Sequence, residues 1–477
     1  MEEQNYEYHF GAELPAGDAE NGNRRSPKTV TRGFLIGCVA FAVALSVLLT
    51  SVLATIFAHS FYAQQLNEQQ EMLDRWQKEG KLCELDVQNL EVLALLFERY
   101  SYYYGQVDND ELITAALRAY AEATGDRYAS YYTVEEYRAL TRENEGNHSG
   151  IGIGIYQTKV SVEGAEYAAF QVTEVYVGGP AASSGLRPGD YIYAYVDNGT
   201  VHTVSEVGYS AALAALRGAA GTTAELFVYR VENGNAVSHR FAIERQAYVA
   251  DSVSSYLSAA DPTVAVVRIS GFDLQTPMGL KREIRARMAD GATKFVFDLR
   301  NNPGGDLQSV KASLTYFLQP GDLIINTIDR DGNVRDSYVA EPTSLRGSYA
   351  SCSVAQEEVG MFSDLSMVVL CNGATASAAE VFTATLRDYG LATVVGEKTF
   401  GKGIMQTFFD LSVFRGCEGY AKLTSYAYVT KCGVSYHDVG ILPDVAVELS
   451  EEAQAYYYTL LPEALDNQLA AAIARFE

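Results

Sequence analysis

MVVLCNGATASAAEVFTATLRDYGLATVVGEKTFGKGIMQ, residues 367–406, is the stretch around which the chain is organised. Met367 to Leu370 is a short apolar run and reads as a buried strand. A turn of small residues follows, Asn372 to Ala376. From Ser377 the pattern is helical. Val381, Phe382 and Leu386 fall at helical spacing, with Thr385 one turn after Val381. A serine placed where a strand turns into a helix has its hydroxyl on a rigid edge. Beside it are the unpaired N–H groups of the first helical turn, which can stabilise a negative oxygen. A second apolar run, Leu391 to Val395, leads to Gly401-Lys402-Gly403, where small neighbours let a lysine approach another element closely. On composition alone, Ser377 is a helix-cap serine and Lys402 a surface lysine. The order of the motifs changes that weighting.

NGATASAAE at 372–380 and GEKTFGKG at 396–403 together resemble the C-terminal processing peptidases, or tail-specific proteases. The resemblance implies that Ser377 is the nucleophile and Lys402 the general base. It implies that Gln406, in Gly403-Ile404-Met405-Gln406, positions the lysine. DLRNNPGG at 298–305 is a third match. In relatives a glycine amide from that turn forms part of an oxyanion hole with the amide after the nucleophile. Here those map to Gly304 or Gly305, left undecided, and to Ala378. Tight-turn glycines at positive φ are the bland reading of the same turn, and both readings can hold together. Asp298 and Arg300 read as structural. Lysine serves as a base only if burial lowers its pKa, so neither Glu380 nor Glu397 is expected to touch its amine. Glu380 reads as structural.

Around this stretch, Thr263–Ile269 and Lys294–Leu299 read as strands, and Met278–Met288 and Leu307–Phe317 as helices. Strands alternating with helices imply an α/β core, with ligands gathered beyond the strand C-termini. The resemblance implies a ClpP/crotonase-like catalytic core over 246–448, weakest in 310–365, where the connection looks irregular.

Upstream, GIGIGI at 150–155, GGPAASSGLRPGD at 178–190 and a short helix at 205–218 resemble a PDZ domain, placed at 149–245. Such domains add an extended peptide to a sheet edge and hold its carboxylate on backbone amides. Carried over, Ile151, Gly152 and Ile153 line the binding loop, and Leu213 and Leu216 complete an apolar pocket, with core packing as the alternative for both leucines. Arg187 reads as a solvated turn residue. Residues 62–148 read as a stalk and helical subdomain whose apolar stripes bury against one another. Within it, Asp126-Arg127-Tyr128-Ala129-Ser130-Tyr131 partly resembles a family segment that contributes structure, with Arg127 standing where relatives carry proline. Residues 449–477 read as a C-terminal helical extension that packs on or caps the core.

Residues 33–58 carry no charge and are long enough as a helix to cross a bilayer. Arg24, Arg25, Lys28 and Arg32 precede them, which places the N-terminus in the cytoplasm and the rest of the chain outside, as an uncleaved anchor, with a cleaved signal peptide as the alternative. Residues 1–32 read as a disordered leader. The formal net charge of −24 argues against a nucleic-acid partner.

Of six histidines only His437 falls in the catalytic region, as a turn residue and not a base. No clustered His/Cys/Asp set suggests a metal, and no cofactor is implied. Of six cysteines, Cys371 reads as a small buried residue. Cys417 and Cys432 flank the β-like segment 420–429, and an extracellular disulfide between them is expected. Cys83 and Cys352 have no assignment.

The chain thus reads as a membrane-anchored, extracytoplasmic serine endopeptidase acting on proteins with unstructured apolar C-terminal tails. A catalytically silent PDZ scaffold is the alternative. Helical ends in relatives can pair, so a homo-oligomer is compatible with the resemblance.

Overall fold

The computed structural model describes residues 84–101 and 109–476, except 163, 177, 198, 219, 233–234, 415 and 457–459. The leader, the apolar run 33–58 and the stalk 62–82 lie outside the described residues, as do Cys38 and Cys83. Among the described residues no helix is long and apolar enough to cross a membrane. The chain divides into two units, Met1–Gln106 and Val107–Glu477.

In the first unit the described element is the helix Glu84–Tyr100. Its apolar positions are not buried as expected: Leu93 is 50% and Leu95 61% exposed. Leu95, Leu96 and Phe97 are consecutive, so they fan around the helix and make no single stripe. In the second unit the helix Asn109–Ala123 likewise leaves Leu112, Ile113, Leu117 and Tyr120 exposed.

The core expected to be catalytic is built on a six-stranded sheet. Its order is Val253–Leu257, Val264–Ile269, Lys294–Asp298, Ser366–Cys371, Ala392–Gly396 and Val445–Ala446. The first pair is antiparallel and every later pair is parallel. The valine-rich strands are buried on both faces, as a covered parallel sheet requires. Ala265, Val267, Phe295 and Phe297 enter the main core with Leu280, Leu314 and Phe382 from three helices. Val264, Val266, Val296 and Val368 face the other way, against Leu469 and Ala472 of the C-terminal helix Asn467–Ile473.

Register fixes where the motifs emerge. Asp298 pairs with Leu370, and Cys371 with Gly396. Three neighbouring parallel strands therefore end together, and the DLRNNPGG, NGATAS and GEKTFGKG loops leave from one rim.

A second, antiparallel sheet joins Ser130–Tyr132, Ile404–Asp410, Tyr420–Val429, Leu323–Ile328 and Val334–Val339. The last two strands form a hairpin inside the region expected to be irregular. Cys352, Cys371, Cys417 and Cys432 are free, so the expected Cys417–Cys432 disulfide is not formed. The ten-residue strand Tyr420–Val429 runs between them. An extended strand of that length spans about 30 Å, whereas a disulfide needs Cα atoms within about 7 Å.

The β-rich module is entered and left through one paired neck, Asn147–Gly150 against Gln246–Val249. Between them lies a six-stranded antiparallel sheet in which Ile153–Val162 is an edge strand. The helix Val204–Leu216 packs on this sheet. It is opened by a capping box between Thr203 and Glu206.

Candidate active site

Ser377 stands at the junction of the buried strand Ser366–Cys371 and the helix Ala378–Asp388. Its φ of 56° is left-handed, a strained position for a residue with a Cβ. The strain has a visible support. The carboxylate of Glu380, fully buried, accepts from the Ser377 amide at 2.9 Å. The same oxygen accepts from the Lys402 amide at 2.7 Å. Its other oxygen accepts from the Gly401 amide at 2.8 Å and the Thr399 hydroxyl at 2.5 Å. The backbone nitrogens of Ser377 and Lys402 are thus separated by at most the sum of two hydrogen bonds. One buried carboxylate ties the serine turn to the lysine loop.

That loop is held from behind by residues 437–441. Asp438 N donates to Gly401 O at 2.8 Å, and Thr399 N to Ile441 O at 3.1 Å. A Cβ on Gly401 would lie 2.8 Å from Gly440 N, and one on Gly403 2.8 Å from His437 N. The glycines flanking Lys402 are there for this close approach. His437 packs its backbone on Gly403, and its ring faces Asp438.

The Lys402 amine lies 4.6 Å from the centre of the Tyr128 ring. Burial holds its pKa below the usual lysine range, helped by the positive charges of Lys422 and Arg127 and opposed by Glu380. Glu380 touches the lysine backbone and makes no hydrogen bond to the amine. Arg127 stacks over Tyr128, 4.8 Å from the ring centre, and pairs with Asp438 at 3.3 Å. Nothing local in the sequence marks Tyr128 as a neighbour of Lys402, 274 residues away. Gln406 lies on the strand Ile404–Asp410, with its amide nitrogen 3.3 Å from the Thr424 hydroxyl. Thr424 is anchored to Asp126 at 2.8 and 2.9 Å. The structure brings Gln406 to Thr424 and not to the lysine amine.

The DLRNNPGG turn is cross-linked to the serine turn. Asn301 and Asn372 exchange hydrogen bonds of 3.0 and 2.8 Å, and Ala376 N donates to Asn302 O at 2.9 Å. A Cβ on Gly304 would lie 2.7 Å from Ser377 Cβ, so the glycine backbone runs directly against the serine. The Gly304 amide is occupied by Asn302 Oδ1 at 2.8 Å. The amides of Gly305 and Ala378 donate to no described residue. Asp298 and Arg300 are buried in an ion-pair network away from the hydroxyl. Burial pushes the Cys371 thiol up to about 12, which leaves it inert.

In the β-rich module, Ile151, Gly152, Ile153, Leu213 and Leu216 line one cleft of 190 Å³ between the edge strand and the helix. Ile151 and Leu216 are also buried members of the module core. Gly152, at φ 77°, abuts Gly179 so tightly that a Cβ would lie 2.8 Å from its Cα. Arg187 is exposed and outside the cleft. Glu143 and Tyr176 line this cleft and also the next one, of 220 Å³, which reaches Gly304 and Gly305. Among the described residues no His/Cys/Asp/Glu group could hold a metal ion.

Residues 263–447 match the family model described as peptidase family S41. The chain is 29% identical over 352 residues to the carboxyl-terminal-processing protease of Synechocystis sp., covering 73% of this chain and 74% of that protein. It is 29% identical over 376 residues to a CtpA-like serine protease of Staphylococcus aureus, covering 78% of this chain and 67% of that one. In fold it is similar to an S41 protease from Bacteroides fragilis, with a TM-score of 0.53 and 17% identity over 75% of this chain and 89% of that chain. With the rim of motif loops and these similarities together, residues 263–447 are a peptidase family S41 domain similar to those of carboxyl-terminal-processing proteases, and the chain is a serine-type endopeptidase.

Proposed function

We propose that the enzyme cleaves exported proteins at unstructured, apolar C-terminal tails, through an acyl-enzyme formed on Ser377 with Lys402 as base. The observation that carries this reading is the Glu380 carboxylate, which accepts from the backbones of both residues. The neutral amine of Lys402 leaves the face of Tyr128 and takes the proton from the Ser377 hydroxyl as its oxygen attacks the peptide carbonyl. The unclaimed amides of Gly305 and Ala378 receive the oxyanion. Lys402 then passes the proton to the leaving amine, and water, deprotonated by the same amine, hydrolyses the ester. Gln406, whose amide nitrogen is held by Thr424, orients the lysine by turning its free carbonyl oxygen to the amine.

The β-rich module holds the substrate's C-terminal residues along the edge strand Ile153–Val162, with Ile153 and Leu213 in its apolar cleft. The shared wall of Glu143 and Tyr176 supports delivery of the tail from that cleft toward the Gly305 turn. The uncharged run 33–58, preceded by four basic residues, supports a single-pass anchor with the catalytic region outside the cytoplasm.

The test is cleavage of a disordered reporter protein with an apolar C-terminus by the full-length chain. Ser377→Ala and Lys402→Ala each lower turnover about 1,000-fold or more while tail-peptide binding persists. Wild-type turnover in either variant sinks the dyad. Protection of the C-terminal region from protease added to intact cells sinks the topology.

A further inference from the structure

The side-chain amide of Gln406 has two unlike ends, and a chain of hydrogen bonds decides which of them Thr424 holds. The chain starts at Asp126, well ahead of residues 263–447 that match the peptidase family. The Asp126 carboxylate accepts from the Thr424 amide at 2.8 Å, the Thr424 hydroxyl at 2.9 Å and the Tyr128 amide at 3.0 Å. Partial burial works against its charge, but these donors outweigh it and hold its pKa below the usual carboxylate range. An ionised carboxylate only accepts, so the single proton of the Thr424 hydroxyl is committed to it. Toward its other neighbour that hydroxyl can then only accept, and the neighbour is Gln406 Nε2 at 3.3 Å. Strand register supplies the meeting. Met405 pairs with Tyr426, and a bulge then sets Gln406 opposite Thr424 in place of Ser425.

We propose that Asp126 is a positioning residue of the peptidase: through the Thr424 hydroxyl it fixes the Gln406 amide with its nitrogen on Thr424 and its carbonyl oxygen turned to the Lys402 amine. This rests on the reading of Lys402 as base and Gln406 as the group that orients it. A carbonyl oxygen accepts one hydrogen of the amine and leaves the lone pair for the Ser377 hydroxyl. A reversed amide presents N–H donors, which compete for that lone pair. The groups facing the amine are the Tyr128 ring, 4.6 Å from it, the cations Lys422 and Arg127, and Glu380. Burial is the main cause of the depressed Lys402 pKa. A site that merely loosens therefore raises that pKa, whereas loss of a carbonyl acceptor for the ammonium lowers it further. The two effects have opposite signs, and that separates positioning from packing.

The experiment compares full-length chains carrying Thr424→Val, Thr424→Ser and Asp126→Asn. Cleavage of the disordered reporter gives kcat across pH. Competitive labelling with acetic anhydride, read at Lys402 by mass spectrometry, gives the titration of the amine without cleavage. Thr424→Val keeps the shape and removes the hydroxyl; it lowers kcat about tenfold and moves the Lys402 titration to lower pH. Thr424→Ser restores the hydroxyl and recovers most of the loss, to within about threefold of wild type. Asparagine at 126 keeps one acceptor oxygen and no longer dictates the direction of the hydroxyl. Asp126→Asn lowers kcat about tenfold alone, and less than about threefold in a Thr424→Val background. Thr424→Ser as impaired as Thr424→Val, a titration that rises or stays in Thr424→Val, or an undiminished effect of Asp126→Asn in that background overturns the proposal. If Asp126→Asn does not fold, the two Thr424 variants decide. Cleavage that survives Lys402→Ala sinks the base reading instead, and the labelling tells the two failures apart.

Discussion

A buried carboxylate must meet its lone pairs from protein donors, and Glu380 does so with three backbone amides and a hydroxyl. Glutamine in its place keeps one acceptor oxygen. Its amide nitrogen then faces at least one N–H donor, that of Gly401 at the Oε1 position or those of Ser377 and Lys402 at the Oε2 position. Glu380→Gln should cost about 2–4 kcal/mol of stability, read by urea unfolding, and lower turnover through loss of the serine–lysine spacing. Unchanged turnover would separate this carboxylate from the site. The lysine makes a second prediction, in pH. As the proposed base Lys402 must be neutral, and its depressed pKa then places the rising limb of activity below the ordinary lysine value of about 10.4. Removing a positive neighbour raises that pKa again. Arg127→Gln and Lys422→Gln should each move the limb to higher pH and lower turnover at neutral pH. A lower plateau with an unmoved limb would mean that these cations act through shape alone. The meeting of Ser377 with Lys402 was legible because their motifs are contiguous in sequence. Glu380 was recognisable as structural, but what it holds depends on a loop 21 residues later. Tyr128 and Arg127 reach Lys402 through the tertiary fold, and no periodicity carries that.

At the scale of elements, the site is a set of turns pressed together. Gly304 has φ 99°, and a Cβ there would meet Ala376 O, Ser377 Cβ and Ala378 N at 2.7–2.8 Å. All three belong to the turn that sets Ser377. Gly304→Ala should therefore reduce turnover more than stability, about 1,000-fold (about 4 kcal/mol) against about 1–3 kcal/mol, measured as kcat and urea midpoint on one preparation. In the β-rich module, the hydroxyl of Tyr209 on the helix donates to Thr158 O of the edge strand at 2.5 Å. That bond bridges helix and strand beyond the cleft residues Ile153 and Ile155. Tyr209→Phe removes the bridge, so peptides of six residues should gain affinity by a few-fold while tripeptides do not. Equal gains for both lengths would show that Tyr209 does not limit the groove. The strand–helix alternation of the core was readable because its apolar runs are buried on both faces. The hairpin Leu323–Ile328 with Val334–Val339 was not. Val334–Val339 is largely solvent-exposed, so its sequence lacks an apolar run.

For the whole molecule, the catalytic sheet is closed on its second face by the C-terminal segment. Arg300, 3% exposed, sits between two carboxylates. Asp298 accepts from it at 2.8 and 2.9 Å, and Asp466 at 2.8 and 3.0 Å. Asp466 also caps the helix Asn467–Ile473 by accepting from Leu469 N at 2.9 Å. A sequence reading finds a C-terminal helix that packs on the core, because Leu469 shows in the apolar pattern. It does not find this latch, because the partners stand 166 residues apart and one is an arginine that a local reading pairs with Asp298. The latch grips the strand end from which the Gly304–Gly305 turn departs, so the C-terminal segment bears on the turn that runs against Ser377. Asp466→Ala removes two charge-assisted hydrogen bonds and a helix cap but leaves Arg300 paired with Asp298, so no unpaired charge is buried. The expected loss is about 2–4 kcal/mol, less than stripping both carboxylates would cost. Asp298→Ala also breaks one of the two pairs, at the strand itself, and should cost at least as much. If urea unfolding shows Asp466→Ala within about 0.5 kcal/mol of wild type, the C-terminal segment is packed against the sheet without bracing it.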